Sequence, residues 1–133
     1  MRHLYAMSEE YADLAAEVIE EHQDLHWLLD ADIDIGYLKS NQAKKAKGRE
    51  VHGECILVKD LYQPFCPYDF LIVLYDQNIA GFTDEQIRIL LYHELLHIDV
   101  SEKDGEPVYS VAPHDVEDFR AVIEQYGIDW SGR

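Results

Sequence analysis

The sequence predicts an α+β fold in which helices pack on a small mixed or antiparallel sheet. Three observations predict it. Apolar residues recur at three- and four-residue steps after Ser8, short segments rich in β-formers occupy the middle of the chain, and a strongly capped helical segment begins after Thr83. At 133 residues the chain is expected to form a single domain, residues 1–133, because that length buries one core well and two poorly.

Ser8 is a good N-cap, and the acidic residues after it stand where the helix dipole favours negative charge. Tyr11, Leu14, Ala15, Val18, His22, Leu25 and Leu29 then fall on one face, with Glu10, Asp13, Glu17, Glu20, Glu21 and Asp24 opposite. That periodicity predicts an amphipathic helix of about five or six turns. The segments Ile33–Lys39, Glu54–Leu61 and Phe70–Tyr75 read as strands, separated by loops that contain Gly48, Gly53, Pro64 and Pro67. The third, in DFLIVLY, is apolar enough to lie inside a sheet.

Thr83 and Gln86 have the spacing of a capping box, and Phe82 and Ile87 that of a hydrophobic staple. A helix is therefore expected from Asp84 to about Ile98, with Ile87, Leu91, Leu95 and Ile98 as its apolar stripe and Leu90 beside it. Beyond it EKDGEP reads as a turn and PVYSV as a short strand. Pro113 opens a last helix that runs to about Tyr126, with Gly127 closing it.

The net charge of −16 disfavours nucleic acid and anionic membrane surfaces as partners, since both carry the same sign. No apolar run approaches the roughly 20 residues of a membrane span, and the N-terminus MRHLYAMSEE lacks the cationic-then-apolar pattern of a secretory signal. Cys55 and Cys66 have no CxxC spacing and read as reduced thiols, so the chain is expected to be cytoplasmic. One basic cluster, Lys39, Lys44, Lys45, Lys47 and Arg49, reads as a solvated loop or strand edge; a contact for an acidic partner is the sharper alternative.

The chemistry lies in HELLH. Residues four apart on a helix share a face, so His93 and His97 can reach one ion, and imidazole nitrogen suits zinc. Glu94 is placed to accept a proton from water at that ion and return it to a leaving amine, the role of a general base. A catalytic zinc takes three protein ligands. His114 is the expected third, with Glu117 and Asp118 as alternatives on the same helix face. Asp115 and Asp99 are candidates to orient a ligand imidazole. His22 and His26 also lie four apart, without a supporting carboxylate, and read as packing or surface residues. His52 and Cys55 form a weak HxxC pattern. Tyr68, Tyr92 and Tyr109 could donate to an oxyanion, and none is assigned that role.

YDFLIVLYDQNIAGFTDEQIRILLYHELLHI and HDVEDFRAVIEQYGIDW together resemble the phage-type metallopeptidases of the zincin-like class over residues 68–130, with weaker similarity from Lys44. The resemblance implies a zincin-like fold, a zinc cofactor held by His93, His97 and His114, Glu94 as catalytic base, and a peptide or protein substrate. The metzincin extension is absent: the position six after His97 is Lys103. Three other readings fit the residues: a zinc hydrolase of non-peptide amides or esters, a non-catalytic binding protein whose last helix is stapled by metal, and an acidic DNA mimic.

Overall fold

The computed structural model describes residues 4–113. In chain order its elements are β1 (Tyr5–Met7), α1 (Glu9–Glu21), a 3₁₀ turn at Gln23–Leu25, α2 (Trp27–Asp30), β2 (Ile35–Ser40), β3 (Lys45–Ala46), β4 (Arg49–Glu50), β5 (Gly53–Leu57), a second 3₁₀ turn at Asp60–Tyr62, β6 (Phe70–Tyr75), α3 (Asp84–Leu95), β7 (Ile98–Lys103) and β8 (Glu106–Val111). The fold is α+β, as expected.

The main sheet has the order β1-β2-β6-β5 and is mixed: β2 and β6 run parallel, while β1 and β5 pair antiparallel to their neighbours. FLIVLY is interior because it is apolar on both faces. Phe70, Ile72 and Leu74 join Tyr37 in the core under α1 and α3, and Val73 and Tyr75 are buried on the opposite face. From the helices, Ala15, Val18, Leu91, Tyr92 and Leu95 complete that core. β5 is an edge strand, with no ladder partner on its outer side among the described residues.

The expected first helix stops at Glu21. His22 leaves the helical region (φ −115°, ψ 108°), and its amide closes the last turn onto the Val18 carbonyl at 3.1 Å. Its ring Nδ1 donates to the same carbonyl at 2.8 Å and stacks on Tyr92 with 3.9 Å between centroids. The apolar spacing continues through this break, which is why periodicity alone does not reveal it. The shift in direction buries Leu25 and Leu28 and turns Leu29 outward, against expectation.

The expected strands Ile33–Lys39 and Glu54–Leu61 are displaced to Ile35–Ser40 and Gly53–Leu57, while Phe70–Tyr75 agrees at both ends. β1 and β7 were not expected as strands. The basic cluster contains Lys39 on β2 and the small β3–β4 hairpin, which Lys44 ties to the sheet through Glu54 at 2.5 Å. Of the expected turn EKDGEP only Asp104 and Gly105 form the turn of the β7–β8 hairpin, while Glu102, Lys103, Glu106 and Pro107 pair within its strands. Asp104 and Gly105 both adopt positive φ (54° and 80°), as a type I′ turn requires. The expected last helix, apart from its opening Pro113, lies outside the described residues.

Candidate metal centre

α3 begins as the sequence requires. Thr83 Oγ1 accepts from the Gln86 amide at 3.2 Å, and Gln86 Oε1 accepts from the Thr83 amide at 2.9 Å, so two orphan donors of the first turn are satisfied. Phe82 and Ile87 pack against the core beside this cap.

The helix ends earlier than expected, at Leu95 rather than Ile98, so the motif runs past its C-terminal end. The Leu96 amide bonds the Tyr92 carbonyl and the His97 amide bonds the Glu94 carbonyl, a tightened last turn that delivers the chain into β7. His93 and Glu94 therefore belong to the final helical turn, and His97 to the connection. Ile98 and Val100 then alternate as a strand facing β8. Of the expected stripe, Leu91, Leu95, Leu90 and Ile98 are buried and Ile87 is partly buried.

The early helix end does not separate the motif. His93, Glu94 and His97 each offer a ligand atom, and these atoms lie within 4.8 Å of one another. Among the described residues this is the one such group of three. The imidazoles stand edge to face with centroids 5.3 Å apart, and His97 Nε2 is 3.9 Å from Glu94 Oε1. All three are buried, with 8%, 4% and 8% exposure respectively. Two imidazoles and a carboxylate buried this close together have the donor chemistry to share one cation.

The orientation of His97 is fixed from behind. Its Nδ1 lies 2.5 Å from the Ala112 carbonyl oxygen, and its own carbonyl accepts from the Ala112 amide at 2.7 Å. A carbonyl only accepts, so Nδ1 carries the proton and the neutral ring has its lone pair on Nε2, the atom facing Glu94. A backbone carbonyl behind the distal nitrogen is the usual support of a metal-binding imidazole. The donor set thus fits a borderline divalent ion such as zinc. Asp99, a candidate for this orienting role, is exposed on β7.

The other wall of the site is β5. A methyl group at Gly53 would crowd Leu74 Cδ2 at 2.9 Å and the Val73 carbonyl oxygen at 3.1 Å, so packing on β6 favours glycine there, and it would stand in ordinary contact with Glu94 Oε2 at 3.4 Å. Cys55, two residues on, is on the same face. Burial, and after it the Glu94 charge, push its thiol well above the ordinary range, which keeps it neutral. Cys55 and Cys66 are both free thiols.

The remaining candidates separate from this centre. His22 and His26 bond the Val18 and Glu20 carbonyls, so both cap the C-terminal end of α1. His52 is buried edge-on against Phe82 at 4.9 Å. The Tyr92 hydroxyl donates to Asp24 Oδ2 at 2.6 Å, Tyr68 packs over Gly36, and Tyr109 lies 5.9 Å from Phe70. His114, Asp115, Glu117 and Asp118 lie outside the described residues. Sequence reasoning did not identify Ala112 or Gly53. Ala112 acts through its backbone, which leaves no mark in residue type. Gly53 was visible only as a loop glycine, although glycine at a strand start is a known sign of close approach.

A family model described as "Putative phage metallopeptidase" matches residues 3–132. Comparison with curated proteins and with solved structures finds no match. Among the described residues no helix is long and apolar enough to cross a membrane. A metallopeptidase family implies a metal and a protein or peptide substrate, and the buried His–Glu–His group has the chemistry to hold that metal. The chain belongs to the family described as putative phage metallopeptidases.

Proposed function

We propose that this chain is a zinc-dependent peptidase, organised as one zincin-like domain, with His93, His97 and His114 as ligands and Glu94 as general base. The observation that carries the reading is the pairing of His97 Nδ1 with the Ala112 carbonyl, which leaves Nε2 directed toward Glu94, with both side chains buried. A zinc ion bound there would supply a Lewis acid for the scissile carbonyl and lower the pKa of water toward neutrality.

The protein's own groups would do the rest. Glu94 Oε1 faces His97 and Oε2 faces β5, so one carboxylate spans the space between ligand and edge strand. It would take a proton from the attacking water and pass it to the leaving nitrogen. An extended peptide would add to the outer edge of β5, where main-chain hydrogen bonds hold it regardless of sequence. Gly53 is the place where that strand and the carboxylate meet.

The test is Glu94→Gln. That variant should bind as much zinc as the wild type and lose peptide hydrolysis by about a hundredfold or more. Full activity in the variant removes Glu94 from the mechanism.

A further inference from the structure

Between β5 and β6 the chain presents apolar side chains to solvent on an ordered scaffold. Leu61, Tyr62 and Phe65 are 75%, 54% and 88% exposed. The backbone that carries them is tightly bonded: the Tyr62 amide reaches the Lys59 carbonyl at 2.8 Å, the Phe65 amide the Tyr62 carbonyl at 2.9 Å, and the Cys66 amide the Tyr62 carbonyl at 3.0 Å. Gln63 Nε2 then straps the loop to the end of β5 and the start of β6 through the Val58 and Tyr68 carbonyls. Large apolar groups held rigidly in water mark a contact surface more often than a packing defect.

The surroundings are acidic. The Asp34 amide donates to Asp69 Oδ2 at 2.9 Å, the Asp69 amide bonds the Asp34 carbonyl at 2.7 Å, and the Val58 amide bonds the Asp69 carbonyl at 2.9 Å. These contacts bring Asp34 and Asp69 to the base of the loop; within it exposed Asp60 and Lys59 offset one another, so the acidic balance comes from the base. A chain of net charge −16 opposes a second copy of itself and an anionic membrane at this surface. It favours a partner of opposite sign.

The loop also continues the edge strand. Gly53 adjoins Glu94, and Leu57, four residues further along β5, lies about 13 Å away, just before the loop. Antiparallel pairing is the more stable ladder. A peptide added in that sense has the residues N-terminal to its cleaved bond running toward the loop.

We propose that residues 59–68 form a docking site for the substrate segment N-terminal to the cleaved bond, selecting apolar side chains interspersed with lysine or arginine. This deepens the peptidase reading and rests on it for the identity of the occupant as substrate.

Two measurements test it and keep the two ideas apart. The first is fluorescence anisotropy with a labelled decapeptide of alternating lysine and leucine, titrated with the zinc-loaded Glu94→Gln chain. Expected is saturable binding that weakens with salt and falls at least about tenfold in Leu61→Ser/Phe65→Ser and in Asp34→Lys/Asp60→Lys. All four positions are exposed, and a thermal melt checks that each variant remains folded. Equal binding by these variants, or equal binding of the glutamate–leucine counterpart, overturns the proposal. So does a concentration-dependent dimer abolished by Phe65→Ser, which would make the loop a self-association surface.

The second measurement maps the cuts made by the zinc-loaded wild type in a library of proteome-derived peptides that retain internal lysine and arginine. Basic and apolar residues should be enriched about four to six positions N-terminal to the cut, and the enrichment should vanish in Leu61→Ser/Phe65→Ser. Enrichment that survives in that variant overturns the proposal. If the wild type cuts nothing while the variants still lose binding, the hydrolase reading falls and the docking site stands.

Discussion

His97 and Ala112 hold one another through two hydrogen bonds: the Ala112 amide donates to the His97 carbonyl at 2.7 Å, and His97 Nδ1 donates back to the Ala112 carbonyl at 2.5 Å. The first bond fixes the backbone where helix gives way to hairpin, and the second fixes the ring. Together they tie the candidate ligand to the far end of β8, fifteen residues along the chain.

Ala112→Pro removes the amide of this pair without removing any proposed ligand. The His97 backbone loses its anchor while the Ala112 carbonyl behind the ring remains, so zinc affinity should fall by up to about tenfold, the lower end of the range for weakened support of a metal-bound imidazole. Competition with a chromophoric chelator measures it. Unchanged affinity would show that the His97 backbone needs no anchor from the Ala112 amide.

Gly53→Ala tests the approach of β5 to Glu94. The added methyl meets Leu74 Cδ2, which can rotate, and the Val73 carbonyl oxygen at 3.1 Å, which has less room, and it comes into ordinary contact with Glu94 Oε2 at 3.4 Å. Stability should drop by about 1–2 kcal/mol, with zinc retained and hydrolysis reduced by more than stability explains. A fully active variant would mean that β5 does not wall the site.

Legibility in the sequence followed a physical divide. Side-chain signals with a fixed spacing were readable: Thr83 with Gln86, Phe82 with Ile87, the doubly apolar FLIVLY, and HELLH itself. What depended on backbone or on distant packing was not. The break at His22 is invisible because apolar residues keep helical spacing across it, and the ring that His22 stacks on there, Tyr92, lies seventy residues away. β1 is short and exposed, so it carries no alternation to read. β7 has mostly exposed side chains, and the signal that could have found it was Asp104–Gly105 between two alternating segments. The motif's position at the helix end followed from β7, and so was missed with it.

Thr83→Ala removes the hydroxyl half of the capping box. The cost should be about 1 kcal/mol, seen as a melting temperature lower by about 4 °C. Because the cap lies at the opposite end of α3 from the motif, zinc content should not change. Loss of zinc in this variant would mean that the helix N-terminus and the site are coupled.

Stability should fall on the alkaline side. Cys55, Tyr37 and Tyr11 each hold their proton more tightly when folded, chiefly because burial disfavours the charged form. A raised folded pKa gives stability that is complete below the unfolded value and is lost as pH rises beyond it. The loss should begin above the ordinary thiol value of 9.0 and steepen above the ordinary phenol value of 10.0. Urea midpoints measured from pH 7 upward check this, and a flat profile would contradict the burial of these groups.

The most direct measurement is the zinc content of the untagged chain by elemental analysis, with His97→Ala and His114→Ala beside it. The expected result is about one zinc per wild-type chain and little or none in either variant. Zinc kept by His114→Ala but lost from His97→Ala would move the third ligand to Glu117 or Asp118. A wild-type chain that holds no metal and takes up none when zinc is added would contradict the metal centre, and the peptidase with it.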